Sequence, residues 1–165
     1  MSDRSFESLV NEHSRRVLNC ALRILGNAEL ADDVHQEVFM AIWRRWNKYD
    51  GQVKWSAYLY KVTVRKAIEL ARRSRLGPDF GWELEHQVTS QEPDADIRAA
   101  ELQQKLTLCL AKLPERQAEV FVLSKIEGLG YEAIAEILGC SQKTARVHLH
   151  RAVKQLARDL SGYLH

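Results

Sequence analysis

The chain has 165 residues, 45% of them hydrophobic and 28% charged, which is enough apolar material for one or two small domains with buried cores. Its three cysteines are an odd number and lie far apart without a CxxC pair, which argues against a disulfide framework or a zinc site. No apolar run is long enough to span a membrane, and the N-terminal "MSDRSFESLV" is too polar for a signal peptide. We therefore expect a cytoplasmic protein without membrane insertion, in which Cys20, Cys109 and Cys140 are reduced and buried.

Charge alternates along the chain in three blocks. Residues 1–75 carry 14 Lys and Arg against 9 Asp and Glu, whereas residues 76–98 carry one Arg against six acids. The remainder carries 9 basic against 7 acidic residues. The order basic, acidic, basic indicates two polyanion-binding lobes joined by an acidic linker.

Helical periodicity accounts for both lobes. In the first lobe it predicts helices over about 6–25, 28–46 and 55–75, with Gly26 and the segment "NKYDGQ" as breaks. The Gly-, Pro- and acid-rich linker is followed by predicted helices at about 97–113, 116–127 and 131–138 and by a last one after Ser141. Because no stretch alternates with a period of two, we predict an all-α fold. It should consist of two small helical domains, 1–75 and 99–165, joined by the linker 76–98.

The segment "LGYEAIAEILGCSQKTARVHLHRAVKQL" has the pattern of a helix-turn-helix. Gly139 stands where a tight turn between helices needs a positive φ, and Ser141 is a natural N-cap for the second helix. In that helix, Ala145, Leu149, Ala152 and Leu156 share one face, which predicts packing against the preceding helix.

The remaining faces of that last helix carry hydrogen-bond donors for base edges and cations for phosphates. These side chains are Gln142, Lys143, Thr144, Arg146, His148, His150 and Arg151. The motif favours DNA binding in the major groove, and the alternative is an amphipathic helix pair with a solvated polar face.

The third helix combines cations with aromatic residues. Lys61, Arg65 and Arg72 lie on one stripe, and Trp55, Tyr58 and Tyr60 crowd the N-terminal end. Aromatic rings beside cations suit single-stranded nucleic acid, because bases stack on the rings while the cations follow the phosphates. A solvated basic face with aromatic core anchors explains the same pattern, and these residues alone do not separate the two interpretations.

The second helix carries an acidic face. Asp33, Gln36 and Glu37 lie at i, i+3 and i+4 in "LADDVHQEVF", which suits either a protein-docking patch or a solvated face. Two carboxylates also raise the hypothesis of an enzyme. The chain has no HExxH motif, Gly-rich phosphate loop or nucleophile elbow to support catalysis.

Together these segments resemble the bacterial RNA polymerase sigma factors of the extracytoplasmic-function group, in the sigma-70 family. "LADDVHQEVFMAIWRRWNKYDG" resembles the polymerase-binding segment, and "WSAYLYKVTVRKAIELARR" resembles the helix that melts the promoter and reads its −10 element. "LPERQAEVFVLSKIEGLGYEAIAEILGCSQKTARVHLHRAVKQL" resembles the domain that reads the −35 element. The resemblance implies a region 2-like domain over 1–75 and a region 4-like helix-turn-helix domain over 99–165.

The resemblance also implies the roles of individual residues. Polymerase binding falls to Asp33, Gln36 and Glu37. Contacts to the −10 element are assigned to Trp55, Tyr58, Tyr60, Lys61 and Arg65. The loop "NKYDGQVK", together with Trp55, Tyr58 and Tyr60, would capture the unpaired bases. Contacts to the −35 element fall to Ser141, Gln142, Lys143, Thr144, Arg146, His148, His150 and Arg151.

The implied partners are core RNA polymerase, promoter DNA and an anti-sigma factor, and no metal, cofactor or catalytic residue is implied. The two promoter elements lie about two helical turns apart, roughly 70 Å, whereas a flexible linker of this length averages roughly 28 Å. Polymerase would therefore have to hold the lobes apart.

Four residues depart from the family's usual pattern. His35 replaces an aliphatic residue, Arg65 a common Asn, Gly130 a usual Ser or Thr cap, and His148 a commoner Arg. Arg65 and His148 lie on the reading helices, so they bear on the promoter sequence rather than on the class of protein.

A LuxR-like two-domain transcriptional regulator is the alternative function, because its recognition helix has a similar pattern. Such a protein needs a ligand-binding or receiver domain, and the helical, basic first lobe lacks the strand pattern that those domains require.

Overall fold

The structure is a computed structural model and describes residues 5–75 and 93–162. Within these ranges it is all-α, as predicted, with a short 3-10 helix at Trp46–Lys48 and a π-helical turn at Val122–Ile126. The α-helices are α1 (Phe6–Leu25), α2 (Ala28–Arg44), α3 (Trp55–Arg75), α4 (Pro93–Lys112), α5 (Glu115–Phe121), α6 (Tyr131–Leu138) and α7 (Gln142–Ser161).

Helices α1, α2 and α3 form the first lobe, and each packs against the other two. Local signals define their ends: Gly26 adopts φ +65° after α1, and the Asn27 side chain accepts a hydrogen bond from the Leu30 N–H at the start of α2. The inward faces supply a continuous apolar core. It includes Leu9, Val17, Ile24, Val34, Val38, Ile42, Leu59, Val64 and Ile68.

The second lobe is built around α7, which packs against α4, α5 and α6. Its buried side chains include Leu110, Leu113, Val120, Leu123, Ile134, Leu138, Leu149 and Leu156. The π-helical turn after α5 closes with a 2.9 Å hydrogen bond from the Glu127 N–H to the Val122 carbonyl. Periodicity predicts a single helix here, and the structure instead changes its winding before Glu127.

Helix α4 begins at Pro93, about four residues earlier than periodicity indicates. Proline suits the first helical position and acids suit the first turn, so "PDAD" starts a helix although its composition is typical of a linker. Residues 93–98 of the predicted linker are therefore helical, and the rest of it lies outside the described residues.

The two lobes contact each other directly. Helix α4 packs against α3 and α1 of the first lobe as well as against α7. The Thr107 hydroxyl donates to the Ile24 carbonyl at 2.9 Å, and the Gln103 amide lies 3.3 Å from the same oxygen.

The weak N-terminal cap of α6 offers a stability test. Gly130 has extended backbone (φ −79°, ψ 167°), no side chain to accept a capping hydrogen bond, and open space where a Cβ would lie. We expect Gly130→Ser to raise the free energy of unfolding by roughly 0.5–1 kcal/mol in urea denaturation, because it adds a cap and restricts the unfolded chain. Gly128→Ser is the control and should destabilise, because φ there is +72°. Equal or lower stability of Gly130→Ser would contradict the capping argument.

Candidate nucleic-acid and protein interfaces

The helix-turn-helix forms as the sequence predicts. Gly139 adopts φ +69° and its N–H donates to the Ala135 carbonyl at 2.9 Å, which ends α6. The Ser141 hydroxyl accepts a 3.0 Å hydrogen bond from the Thr144 N–H and caps α7. The four residues of the predicted inward face are all buried, which confirms the rotation of α7: Ala145, Leu149, Ala152 and Leu156.

The outer face of α7 presents the predicted −35 set to solvent, apart from His148, which is half-buried. The Arg146 guanidinium lies over the Tyr131 ring, 5.0 Å from its centroid. This cation–π contact limits the freedom of Arg146 at the surface where base edges would approach. Sequence reasoning missed Tyr131, because helical periodicity does not indicate which residue of α6 faces Arg146.

An aromatic cluster joins the start of α3 to the end of α2. Trp55 stacks on Trp46 at 5.7 Å between ring centroids, and Tyr49 meets Trp55 edge-on at 5.1 Å. The Tyr49 and Tyr58 hydroxyls lie 2.9 Å apart. Burial, followed by the hydrogen bond to Tyr58, raises the pKa of Tyr49 to about 12, so this phenol stays protonated. The structure thus brings Trp55 and Tyr58 together with Tyr49 of the loop "NKYDGQVK", and it adds Trp46, which the sequence placed at a helix end.

The structure does not bring Tyr60 into this cluster. Two residues along a helix turn the side chain by about 200°, so Tyr60 lies on nearly the opposite side of α3 from Tyr58. Arg16 of α1 lies over the Tyr60 ring, 5.6 Å from its centroid. Of the predicted aromatic set, only Trp55 and Tyr58 share a surface.

Two of the three cations on the basic stripe of α3, Arg65 and Arg72, bind groups of the second lobe. Arg65 Nε donates to Oε1 of Glu119 at 3.1 Å, and the Glu119 side chain is only 1% exposed. Arg72 donates to the Ala111 carbonyl at 3.1 Å and to the Leu113 carbonyl at 2.8 Å. Lys61 of the same stripe is half-buried.

The acidic face of α2 is open to solvent. Asp33 and Gln36 are exposed, and the half-buried Glu37 lies 3.6 Å from the Arg73 guanidinium. Met40 and Trp43 continue the same face, with 51% and 59% of their surface exposed. Sequence reasoning missed these two residues, although their spacing from Gln36 already placed them on its side of the helix.

An apolar groove lies beside this acidic face, between α1 and α2. Its lining includes Phe6, Val10, His35, Phe39, Met40 and Trp43. Exposed apolar side chains next to an acidic stripe are typical of a protein-docking surface.

Comparison with known proteins identifies the class to which these surfaces belong. The family model "Sigma-70 region 2" matches residues 9–76, and "Sigma-70, region 4" matches residues 103–156. The chain is 30% identical over 171 residues to the RNA polymerase sigma factor CnrH of Cupriavidus metallidurans, covering 98% of this chain and 89% of that protein. It is also 30% identical over 162 residues to the ECF RNA polymerase sigma factor SigE of Mycolicibacterium smegmatis. The chain is a sigma-70 family sigma factor of the extracytoplasmic-function group.

This sigma factor spans 63% of the length of the M. smegmatis relative, and that alignment covers 96% of the chain. A solved structure of CnrH in complex with the cytosolic domain of CnrY has the same fold, with a TM-score of 0.59 and 23% identity. The match covers 98% of this chain and 90% of that one. Sigma factors direct RNA polymerase to promoters and are transcription initiation factors rather than enzymes, so the enzyme hypothesis for Asp33 and Glu37 falls away.

Three further properties of this sigma factor concern the described residues alone. No helix among them is long and apolar enough to cross a membrane. Residues 5–75 and 93–162 hold no group of three His, Cys, Asp or Glu side chains that could bind a metal ion. Cys20 and Cys109 are buried free thiols, as expected, but Cys140 is only half-buried because it lies in the turn between α6 and α7.

We expect His35 to contribute a pH dependence to the stability of this sigma factor. Its Nε2 lies 2.6 Å from the Ser14 hydroxyl, and burial lowers the pKa of the imidazole despite the opposing charge of Asp32. The unfolded chain therefore binds this proton more readily, so stability present above about pH 6.5 is lost as the pH falls below that value.

We expect His35→Leu to reduce this loss, so that its Tm falls less than that of the unmodified chain between about pH 7.5 and about pH 5.5. His150→Leu, at an exposed position of α7, is the matched control and should leave the pH dependence unchanged. Differential scanning calorimetry at both pH values makes the comparison. The same fall in Tm for His35→Leu and for the unmodified chain would rule out His35 as the source.

Proposed function

We propose that this sigma factor reads a −35 element with the exposed face of α7 and a −10 element with α3, while α2 docks on core RNA polymerase. The observation that carries the proposal is the division of α7 into two faces. One face is buried against the second lobe, and the opposite face presents donors and cations to solvent. A helix anchored in this way can enter a major groove without exposing its core.

Within α7, we assign contacts with base edges to Gln142 and Arg146. Contacts with the DNA phosphates are assigned to Lys143, His150 and Arg151. Gln142 and Arg146 lie in the N-terminal half of the helix, where recognition helices contact base edges. Ser141 and Thr144 bond to each other at 2.9 Å as part of the cap, so their hydroxyls would approach DNA in a fixed orientation.

Promoter melting would use the aromatic cluster on α3. Trp46, Tyr49, Trp55 and Tyr58 hold one another by ring contacts, which makes a rigid platform at the end of the basic helix. Stacking of an extruded base contributes about 1–3 kcal/mol, which offsets the few kcal/mol that base extrusion costs. Tyr60 lies away from this platform, so we assign it no base contact.

Polymerase docking would use Asp33, Gln36 and Glu37 together with Met40 and Trp43. Exposed charge pairs contribute little to the free energy of binding. Apolar contacts by Met40 and Trp43 would therefore supply most of the free energy of binding at this surface. We propose an anti-sigma factor as a further partner, since a structure of the same fold, the sigma factor RpoE from Bartonella quintana, was solved in complex with the anti-sigma factor NepR. Because this function requires contact with RNA polymerase and promoter DNA, we propose that the protein is located in the cytoplasm.

Run-off transcription tests the function directly. The purified chain is mixed with core RNA polymerase and a library of promoters in which the −10 and −35 elements vary independently. We expect transcripts from a subset of promoters and retention of polymerase on the immobilised chain. A LuxR-like regulator would instead bind DNA without retaining core polymerase, and that result would overturn the assignment.

A further inference from the structure

We propose that Tyr131 is a positioning residue for promoter recognition: its ring holds the Arg146 guanidinium in one orientation, and this orientation selects the base that Arg146 contacts in the −35 element. Tyr131 lies on α6, outside the recognition helix, and the −35 contacts predicted from the sequence do not include it. The inference deepens the proposed function and rests on the assignment of Arg146 to a base contact.

The Tyr131 ring is anchored in the second lobe. Tyr131 is the first residue of α6 and shares one face of that helix with Ile134 and Leu138, three and seven residues further on. Both of those side chains are buried, and the half-buried Tyr131 packs against the same core. Because protein cores are closely packed, the ring has little freedom to move away from its position.

The turn between α6 and α7 fixes the ring relative to the recognition helix. The Gly139 and Cys140 N–H groups both donate to the Ala135 carbonyl, at 2.9 Å and 3.1 Å, and α7 begins two residues later. In α7, Ala145 is fully buried directly before Arg146. Backbone hydrogen bonds and core packing therefore set the distance between the ring and the start of the Arg146 side chain.

The contact between the two side chains restricts an otherwise flexible arginine. Arg146 is exposed, and its guanidinium carbon lies 5.0 Å from the centroid of the Tyr131 ring, within the range of cation–π attraction. A long side chain must give up rotamer freedom when it bonds a base, and Tyr131 reduces this loss because it orders Arg146 before DNA binds. Unlike an ion pair with a carboxylate, a cation–π contact does not occupy the N–H donors of the guanidinium.

Orientation of the guanidinium matters for the choice of base. Only guanine offers two acceptors, O6 and N7, on its major-groove edge. A planar N–H fork that is held in one direction can bond both atoms, whereas a mobile arginine also reaches phosphate oxygens, which are the same in every sequence. We therefore expect the −35 element to contain a guanine that Arg146 contacts, and we expect its selection to depend on the Tyr131 ring.

Substitution of the ring tests this role in run-off transcription with core polymerase and a library of −35 elements. The readout is the ratio of transcripts from the best element to transcripts from its variants at the guanine position. Tyr131→Leu should lower this ratio by about two- to fivefold, the range that a cation–π contact at a partly exposed site supports. Tyr131→Phe keeps the ring and should keep the ratio. An unchanged ratio in Tyr131→Leu, or an equal loss in Tyr131→Phe, would overturn the proposal.

Ile134→Val is the matched control for a loss of stability. It removes one methyl group from the buried face of the same helix and leaves the Tyr131 ring in place. It should lower the Tm without changing the transcript ratio. A fall in the ratio equal to that of Tyr131→Leu would show that the ratio follows the stability of the second lobe, and it would exclude a specific role for the ring.

A double variant separates this inference from the proposed base contact. In a chain that already carries Arg146→Ala, Tyr131→Leu should have no further effect on the ratio, because the ring acts only through the arginine. Additive losses would show that Tyr131 acts by another route. Equal losses on every sequence for Arg146→Ala alone would refute the base contact, and the inference would fail with it.

Nuclear magnetic resonance of the free chain tests the contact without DNA. The ring current of Tyr131 should shift the side-chain protons of Arg146 upfield, and this shift should disappear in Tyr131→Leu and persist in Tyr131→Phe. Identical Arg146 shifts in the unmodified chain and in Tyr131→Leu would overturn the proposal independently of any result on promoters.

Discussion

Reversal of two charges on α2, by Asp33→Lys with Glu37→Lys, should abolish retention of core RNA polymerase while leaving the fold intact. Asp33 is exposed and Glu37 is partly exposed, so neither reversal buries a charge. The double variant would present two cations to a partner surface that is complementary to acids, and like-charge contact at an interface costs several kcal/mol. Pull-down of core polymerase by the immobilised chain measures the effect, and far-UV circular dichroism checks the helices.

The matched control for this experiment is Glu101→Lys with Glu115→Lys. It changes the net charge by the same amount at two exposed positions in the second lobe, away from α2. The control should retain polymerase at the unmodified level. Retention by the Asp33→Lys, Glu37→Lys variant at that same level would show that α2 is not the docking helix.

Truncation of Arg146 should have the second-largest effect, on the choice of promoter sequence. Arg146→Ala should lower discrimination among −35 elements by about 1–3 kcal/mol, or roughly 5- to 150-fold, because a guanidinium can bond two acceptors on one base. Arg146→Lys keeps the charge but loses the planar fork, so it should lose most of the same discrimination.

Arg151→Ala provides the contrast, since a phosphate contact carries no sequence information. It should weaken binding to all −35 sequences by about the same factor and reduce the salt dependence. Run-off transcription across −35 variants, at two salt concentrations, separates the two kinds of residue. Equal losses on every sequence for Arg146→Ala would show that Arg146 contacts the backbone rather than a base.

The geometry of Arg146 illustrates what sequence reasoning leaves out. Periodicity placed it outside the buried face of α7, and the structure adds the Tyr131 ring against which its guanidinium packs. Tyr131 belongs to a different helix, and no local rule relates the rotation of α6 to that of α7. Substitution of Arg146 therefore tests a surface that the sequence assigned to α7, although the sequence did not show which residue of α6 packs against it.

The sequence by itself determined most of the helices and the helix-turn-helix. Those features depend on interactions within a few residues: the positive φ of Gly26 and Gly139, the capping hydroxyl of Ser141, and the recurrence of apolar residues along one face. The predicted start of α4 was wrong because the composition of "PDAD" is typical of a linker and also of the first turn of a helix.

Only the tertiary structure decided what the helix faces meet. Arg65 and Glu119 are 54 residues apart, and Arg23 and Glu127 are 104 residues apart, so no spacing rule could pair them. The packing of α4 against α1 and α3 turned the basic stripe of α3 from a free surface into an interface between the lobes. Helical geometry already places Tyr58 and Tyr60 on different sides of α3, but only the packing of α1 against α3 brings Arg16 over the Tyr60 ring. Each side of a helix takes its environment from whichever helix the fold places against it.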